Sequence, residues 1–144
     1  MVAKVQTSPL PAAGQVESSA QTARPARPQI HIPIAELPSV RFNPRFTGKI
    51  FEGERLSIVC SEVQAGFTVP KHKHENEQVT VIQSGVWQFN VAGEEFIACC
   101  GDIVHVPAGW EHSAIALETS TIMEIFTPPR CEWSDDMDDY LWGI

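Results

Sequence analysis

The sequence predicts an all-β protein built as an antiparallel barrel. After Phe46 the chain consists of short apolar runs, and turn residues separate each run from the next. Between these turns no stretch keeps a helical apolar period long enough to compete with a strand. Glycines punctuate the runs: Gly53, Gly66, Gly85, Gly93, Gly101 and Gly109. A regular succession of short strands and turns is typical of a barrel or a sandwich.

The first predicted elements are two arms. Residues 1–29 are rich in Ala, Pro, Ser and Gln and hold no aromatic residue. They cannot bury enough apolar surface to offset the entropy of ordering, so a disordered N-terminal arm is predicted. Between residues 30 and 44 several prolines interrupt the apolar residues, which favours an extended arm along the barrel over a helix.

Seven strands and a tail follow. The strand sequences are FTGKIF, RLSIVCSEV, QVTVIQ, VWQFNV, EEFIACC, DIVHVP and STIMEIF. Residues 129–144 form an acidic tail, whose segment CEWSDDMDDYLW is the helix candidate of the chain. Its carboxylates are expected to face solvent, while its aromatic residues pack on the barrel. The sequence therefore predicts one barrel domain at residues 30–128, between the arm and the tail.

Composition narrows the classes of function. A chain of 144 residues suggests one domain that can bury a core without disulfides or metal ions as staples. The net charge of −8 and the pI near 5.0 argue against nucleic acids and anionic membranes as partners, because both attract a basic surface. The chain has no apolar run near the roughly 18 residues of a membrane span and no apolar core of a secretory signal at its start. A cytoplasmic location is expected by default.

The four cysteines indicate reduced thiols. Cys60, Cys99, Cys100 and Cys131 contain no C-x-x-C pair and are too few for a disulfide framework. Cys99 and Cys100 are neighbours in a predicted strand, so one should face the interior and the other solvent. That arrangement gives no shared ligand geometry for zinc.

The segment from Gly66 to Gly85, GFTVPKHKHENEQVTVIQSG, places three side chains where they can converge on one metal ion. In a strand, side chains two residues apart share a face, so His72 and His74 point the same way, and Gln78 lies an even number of residues further on. The histidine pair alone is a weak signal, because surface and hydrogen-bonded core histidines are common. The rest of the pattern strengthens it.

Together with the later segment GDIVHVPAGWEH, this segment resembles the two sequence motifs of the cupin superfamily. The first motif has Gly66, five residues, His72, one residue, His74, three residues, Gln78, six residues and Gly85. The second has Gly101, five residues, Pro107, Ala108, Gly109, two residues and His112. The resemblance covers roughly residues 45–128 and is specific, because two motifs stand in the right order.

What the resemblance implies is a small single-domain cupin with a double-stranded β-helix, the jelly-roll barrel, and a homodimer. By analogy one divalent transition metal ion (Fe, Mn, Ni, Zn or Co) is held by four ligands: His72, His74, Gln78 and His112. Such a set leaves open positions on a six-coordinate ion for substrate or water.

Two positions depart from the cupin pattern. The usual glutamate is Gln78, and the Asn that often ends the second motif is Ala116. Since an amide is neutral, the ion keeps its full charge, which favours Lewis acidity over iron-dependent oxygen chemistry. Glu77 is the rival ligand, but strand alternation points it the other way unless a bulge intervenes. His31 and His105 fit neither motif and are expected to be structural or exposed.

The last strand supplies the candidate catalytic residues. Glu124 lies among apolar residues, Phe126 shares its face, and Pro128 and Pro129 can turn Arg130 back over the barrel mouth. If Glu124 points inward, burial raises its pKa and suits it to moving protons, whereas a nearby cation lowers it again. Arg130 would suit a substrate carboxylate. Trp87 and Phe89 are candidate residues of the substrate pocket.

The ending EIFTPPR after HxH-x3-Q is similar to the small KdgF-type cupins, which act on unsaturated uronates released by lyases in pectin and alginate breakdown. This resemblance implies metal-assisted conversion of a 4,5-unsaturated uronate to its linear keto form, with Glu124 as the acid and Arg130 in the position of the family's Arg. The family's usual acid is Asp, so Glu124 is a departure. An alternative role for both residues is purely structural, as an exposed strand residue and a tail ion pair.

Several functions stay open at this point. The leading hypothesis is a Lewis-acid metalloenzyme that acts on a small carboxylated or enolisable molecule. One alternative is a metal-dependent dioxygenase of the quercetinase or diketone-cleaving type. A second is a cupin that binds a small ligand without turning it over, and a third is a structural homodimer without a working metal site.

Overall fold

The structure, a computed structural model, describes residues 30–130. The predicted N-terminal arm at 1–29, most of the acidic tail with its helix candidate, and Cys131 lie outside the described residues. The chain divides into two units after Ile32. Of the first unit only residues 30–32 are described, and none of them lies in a helix or a strand. Within the described residues no helix has the length and apolarity needed to cross a membrane.

From Pro33 to Arg130 the structure is all-β, with one turn of 3₁₀ helix at Ile34–Glu36. The ten strands are β1 (Ser39–Asn43), β2 (Phe46–Glu52), β3 (Ser57–Val63), β4 (Thr68–His72), β5 (Glu77–Ser84), β6 (Val86–Val91), β7 (Glu94–Cys99), β8 (Ile103–Val106), β9 (His112–Ala116) and β10 (Ser120–Thr127). The all-β prediction is confirmed, and each of the seven predicted runs contains a strand.

The strands form two antiparallel sheets. One has six strands in the order β1-β2-β3-β10-β5-β8, and the other has four in the order β4-β9-β6-β7. Because strands that are distant in sequence become neighbours in each sheet, residues from both ends of the domain meet between the sheets. This is the double-sheet arrangement of a jelly roll.

Alternation along the strands builds the core. On β5 the buried residues are Gln78, Thr80 and Ile82, and their neighbours in sequence are less buried. In β10, Ile122 and Phe126 are buried on the same side and flank Glu124 by two residues. A polar pair, Gln78 and Thr80, is therefore placed among the mostly apolar side chains between the sheets. Such groups stay buried only when they are hydrogen-bonded.

Two local predictions were wrong. Residues 30–44 do not form a purely extended arm, because Ile34–Glu36 makes a helical turn, whose carbonyl at Ala35 accepts a hydrogen bond from Lys49 Nζ at 3.1 Å. Cys99 and Cys100 do not face opposite ways, because β7 ends at Cys99 and Cys100 lies in the following turn. Both cysteines are exposed. The predicted homodimer and the cytoplasmic location stay predictions.

Candidate metal centre

The three histidines come from one end of the four-stranded sheet. His72 is the last residue of β4 and His112 the first of β9, and the two stand directly opposite each other in the antiparallel pair. The register of this pair shifts between Val69 and His72, where Pro70 supplies no N–H to the ladder. His74 lies beyond the strand, in the loop before β5, so strand alternation is not what brings it to His72.

All three imidazoles are held in the same tautomer. Nδ1 of His72 donates to the Pro70 carbonyl at 2.7 Å. Nδ1 of His74 donates to the Asn76 carbonyl at 3.0 Å, and Nδ1 of His112 donates to the Trp110 carbonyl at 2.9 Å. A backbone carbonyl can only accept, so the proton of each neutral ring is on Nδ1. The Nε2 atoms of His72 and His112 then present lone pairs, as metal ligands must, and that of His74 does so when no proton lies between it and the Gln78 oxygen.

These rings converge. One ligand nitrogen from each histidine lies within 4.8 Å of the others, and the ring centroids of His72 and His112 are 4.1 Å apart. His112 is 4% exposed, and its Nε2 is buried without a hydrogen-bond partner among the described residues. A buried lone pair without a partner is costly unless a cation uses it. The donor set therefore fits a divalent transition metal ion.

Burial keeps two of the rings neutral. The pKa of His72 is lowered to about 3 and that of His112 to about 4, chiefly by burial and also by the neighbouring histidines and Arg130. The hydrogen bonds to the Pro70 and Trp110 carbonyls act in the opposite direction. Because a protonated imidazole cannot bind a metal, these low pKa values keep both rings competent as ligands at neutral pH.

Gln78 is fixed with its oxygen toward the histidines. Its Nε2 donates one hydrogen to Thr80 Oγ1 at 3.0 Å and the other to Glu124 Oε2 at 3.0 Å. Both amide hydrogens are thereby used, so Oε1 is the atom that lies 3.1 Å from Nε2 of His74. Two acceptors at this distance repel unless a proton or a metal ion lies between them. The arrangement makes Gln78 Oε1 the fourth candidate ligand.

Glu124 lies in the same cavity, opposite Thr80 in the β5–β10 pair. Burial raises the pKa of its carboxyl to about 7, while Arg130 and the hydrogen bond with Thr80 lower it by smaller amounts. Glu124 therefore points inward, one of the two orientations that the sequence left open. In that position it contacts the amide of Gln78, so the candidate ligand and the candidate proton carrier are in direct contact.

We expect the raised pKa of Glu124 to make the metal-free protein less stable as pH rises. The pKa of its carboxyl is about 4.5 in the unfolded chain and about 7 in the folded protein. Its contribution to the stability of the fold is therefore fully present below pH 4.5 and is lost as the pH rises through 7. In the presence of a chelator, urea unfolding should show that the free energy of unfolding of Glu124→Gln, relative to that of the wild type, increases by up to roughly 3 kcal/mol as the pH rises from 4.5 through 7. Glu62→Gln, which removes an exposed carboxyl group on β3, is the control. A flat difference for Glu124→Gln would contradict the assignment.

The other predicted pocket residues also line this cavity. They are Trp87, Phe89, Phe126 and Arg130. The Arg130 guanidinium carbon lies 5.3 Å from the centroid of the Phe126 ring, and Arg130 is 5% exposed. β10 ends at Thr127, before Pro128. The cavity volume is about 40 Å³, which is room for an ion and a few water-sized groups.

Two residues that the sequence set aside, Glu77 and His105, do not line this cavity and pair with each other. Glu77 Oε2 is 2.8 Å from His105 Nε2, and both side chains are more than half exposed. Alternation on β5 thus points Glu77 outward, as expected for a residue next to Gln78. His31 is exposed.

Two residues of the centre were missed in the sequence. Thr80 shares a face with Gln78, two residues along β5, and this parity is a signal that points to it. Asn76 is buried, its carbonyl orients His74, and its Nδ2 donates to the Pro128 carbonyl at 2.6 Å. No sequence pattern indicates that contact, because Pro128 is distant along the chain.

Comparison with known proteins agrees with this geometry. Residues 59–127 match a family model described as a cupin domain. KdgF from Halomonas sp. is 27% identical with a TM-score of 0.63, and the match covers 67% of this chain and 92% of that one. No protein among those with curated functions matches the sequence significantly.

Two further solved structures support the fold alone. An RmlC-like cupin from Shewanella frigidimarina has a TM-score of 0.69 at 19% identity, covering 74% of this chain and 96% of that one. A mutant of Bacillus subtilis oxalate decarboxylase OxdC has a TM-score of 0.64 at 18% identity, covering 80% of this chain and 33% of that one. At such identities a common barrel carries no information on the reaction.

Proposed function

We propose that this chain, of which residues 59–127 match a cupin-domain model, is a metal-dependent enzyme acting as a Lewis acid on a small carboxylated or enolisable substrate. The observation that carries the proposal is the contact between Gln78 and Glu124. It places a carboxyl group that can move a proton beside a ligand set that can hold a cation. An active site is a common setting for a buried carboxyl group beside such a ligand set.

Each residue of the centre has its own role in the proposed reaction. His72, His74, Gln78 and His112 would hold the ion, which supplies positive charge to polarise a substrate oxygen. Glu124 takes a proton from the substrate and returns it at another atom, since its carboxyl lies in the cavity. The buried Arg130 guanidinium binds a substrate carboxylate. The apolar rings of Trp87, Phe89 and Phe126 keep bulk water away from the reacting atoms.

Ketonisation of a 4,5-unsaturated uronate is the specific reaction we favour. The similarity to KdgF from Halomonas sp. supports it, as does the co-location of Glu124 and Arg130. The conversion is an isomerisation: one proton leaves the anomeric hydroxyl, one is added at C4, and the bond between C1 and the ring oxygen breaks. It consumes neither oxidant nor water, so one proton carrier and one cation suffice. A cavity of about 40 Å³ admits the carboxylate end of such a sugar, while the rest of the ring lies at the mouth.

Metal loading followed by a substrate panel tests the proposal. Purified protein should bind one equivalent of Fe, Mn, Ni, Zn or Co, and the loaded protein should remove the ultraviolet absorbance of an unsaturated uronate without oxygen uptake. Oxygen uptake with phenolic or diketone substrates would instead favour a dioxygenase. Binding of the uronate without turnover would leave a ligand-binding cupin, and protein that stays free of metal after reconstitution would exclude both enzymes.

A further inference from the structure

Asn76 connects the histidine loop to the chain segment that follows β10. Its backbone carbonyl accepts the hydrogen bond from His74 Nδ1 at 3.0 Å, and its side-chain Nδ2 donates to the Pro128 carbonyl at 2.6 Å. The residue is 5% exposed. A buried amide in this position is costly to leave unpaired, so both contacts are expected to persist together.

The hydrogen bond between Asn76 and the Pro128 carbonyl lies where the β5–β10 ladder ends. The last pair of the β5–β10 ladder is Glu77 with Thr127, and Pro128, the residue that follows β10, has no N–H with which to continue the ladder. Asn76, which precedes β5, meets the Pro128 carbonyl with its side chain instead. A side-chain bond thus extends the pairing of the two strands by one position.

Arg130 follows Pro128 by two residues in the chain. The N–H of Arg130 donates to Ser57 Oγ at 3.2 Å, and its guanidinium lies over the Phe126 ring in the cavity lining. A continuous series of short contacts therefore runs from the His74 ring through Asn76 to the backbone that positions Arg130. Two functional groups far apart in sequence share one anchoring residue.

We propose that Asn76 is a positioning residue that couples the metal ligand His74 to Arg130, an inference that rests on the proposed roles of those two residues. Anything that fixes His74 then also fixes the Arg130 segment, and the converse holds by thermodynamic linkage. Loss of the Asn76 side chain frees the Pro128 carbonyl and lets the loop and the segment move independently. Metal affinity and the accessibility of Arg130 should then change together.

Two substitutions test the coupling. Asn76→Ala removes the amide, and Asn76→Asp keeps its shape but replaces the donor with an acceptor. The matched control is Glu75→Ala, an exposed neighbour in the same loop. Co²⁺ affinity is measured by chelator competition, the Co²⁺ visible spectrum reports the ligand geometry, and phenylglyoxal labelling followed by mass spectrometry gives the modification rate of Arg130.

Both Asn76 variants should bind Co²⁺ about tenfold more weakly, which is the usual cost of losing a residue that supports a metal ligand. Their Co²⁺ spectra should shift, and Arg130 should be modified about tenfold faster. Co²⁺ should slow the modification of Arg130 in the wild type. At saturating Co²⁺ that protection should be much smaller in Asn76→Ala, whereas Glu75→Ala should behave as the wild type. Direct shielding of Arg130 by bound Co²⁺ should be the same in the wild type and the variants, so it does not account for such a difference.

Wild-type affinity and labelling rates in both Asn76 variants would overturn the inference. So would equal changes in Val63→Ala, a core variant on β3 that lowers stability away from the centre, because the effect would then reflect general loosening. None of these measurements uses a uronate. Failure of the uronate assay would therefore refute the proposed reaction without affecting the coupling, and the reverse also holds.

Discussion

Replacing His112 with alanine should abolish tight binding of a divalent ion. His112 contributes a buried nitrogen with no hydrogen-bond partner among the described residues, and its ring lies closest to that of His72. Losing a supporting residue around a metal typically costs 10- to 100-fold in affinity, so losing a ligand should weaken binding by more than about a hundredfold. Titration calorimetry and metal analysis of the reconstituted protein measure the affinity and the stoichiometry.

Stability gives a second readout of the same variant. In the wild type, a metal ion that binds only the folded state should raise the melting temperature as its concentration increases. This increase should vanish in His112→Ala. Without metal the substitution also removes a buried polar atom that has no hydrogen-bond partner between residues 30 and 130, which offsets part of the packing loss. His105→Ala, an exposed histidine paired with Glu77, is the control and should keep the increase. Wild-type affinity in His112→Ala would refute the metal centre.

Much of this centre is predictable because the residues that form it obey strand parity. Gln78 and Thr80 on β5, and Glu124 and Phe126 on β10, are spaced by two and face inward together. Parity also places Glu77 outward without any knowledge of the fold. The pairing of β10 with β5 is the added element that sets Glu124 beside Gln78. This strand pairing can be predicted from resemblance to a known barrel, but no local sequence pattern indicates it.

Other features depend on local geometry that the sequence does not encode in a simple period. His74 is outside β4, and its orientation depends on the Asn76 carbonyl. Alternation along β7 exposes Cys99 next to the buried Ala98, whereas Cys100 is exposed in the turn that contains Gly101, whose φ is 92°. Cavity volume likewise depends on how the large rings pack. These are the points at which tertiary contacts override strand alternation.

The residues around Gln78 determine which atom of its amide faces the candidate metal centre. An amide can present either oxygen or nitrogen to a cation, and nitrogen bound to two hydrogens is no ligand. Thr80 and Glu124 accept both hydrogens of Gln78 and so exclude the unproductive orientation. Because three imidazoles and an amide carry no charge, the ion in such a site keeps its full electrophilic strength. Glu124 thus supports the ligand geometry while its carboxyl lies in the same cavity.

This double role makes Glu124→Gln the most informative test of the chemistry. Glutamine has a carbonyl oxygen that can still accept from Gln78 Nε2, so the ligand orientation and metal content should be retained. It cannot exchange a proton, so kcat on the unsaturated uronate should fall by about 10²- to 10⁴-fold, the usual contribution of a general acid–base group. Metal analysis and steady-state kinetics on the same preparations separate the two effects.

Comparison variants determine what a loss of turnover means. Glu124→Ala removes the acceptor as well as the proton carrier, so it should lower both metal affinity and kcat. Glu77→Gln changes an exposed carboxylate one position from the ligand and should change neither. If Glu124→Gln keeps wild-type kcat, Glu124 is not the proton carrier. If it loses metal together with turnover, the carboxylate is needed to hold Gln78, and the lost turnover then reflects the lost ion rather than a lost proton carrier.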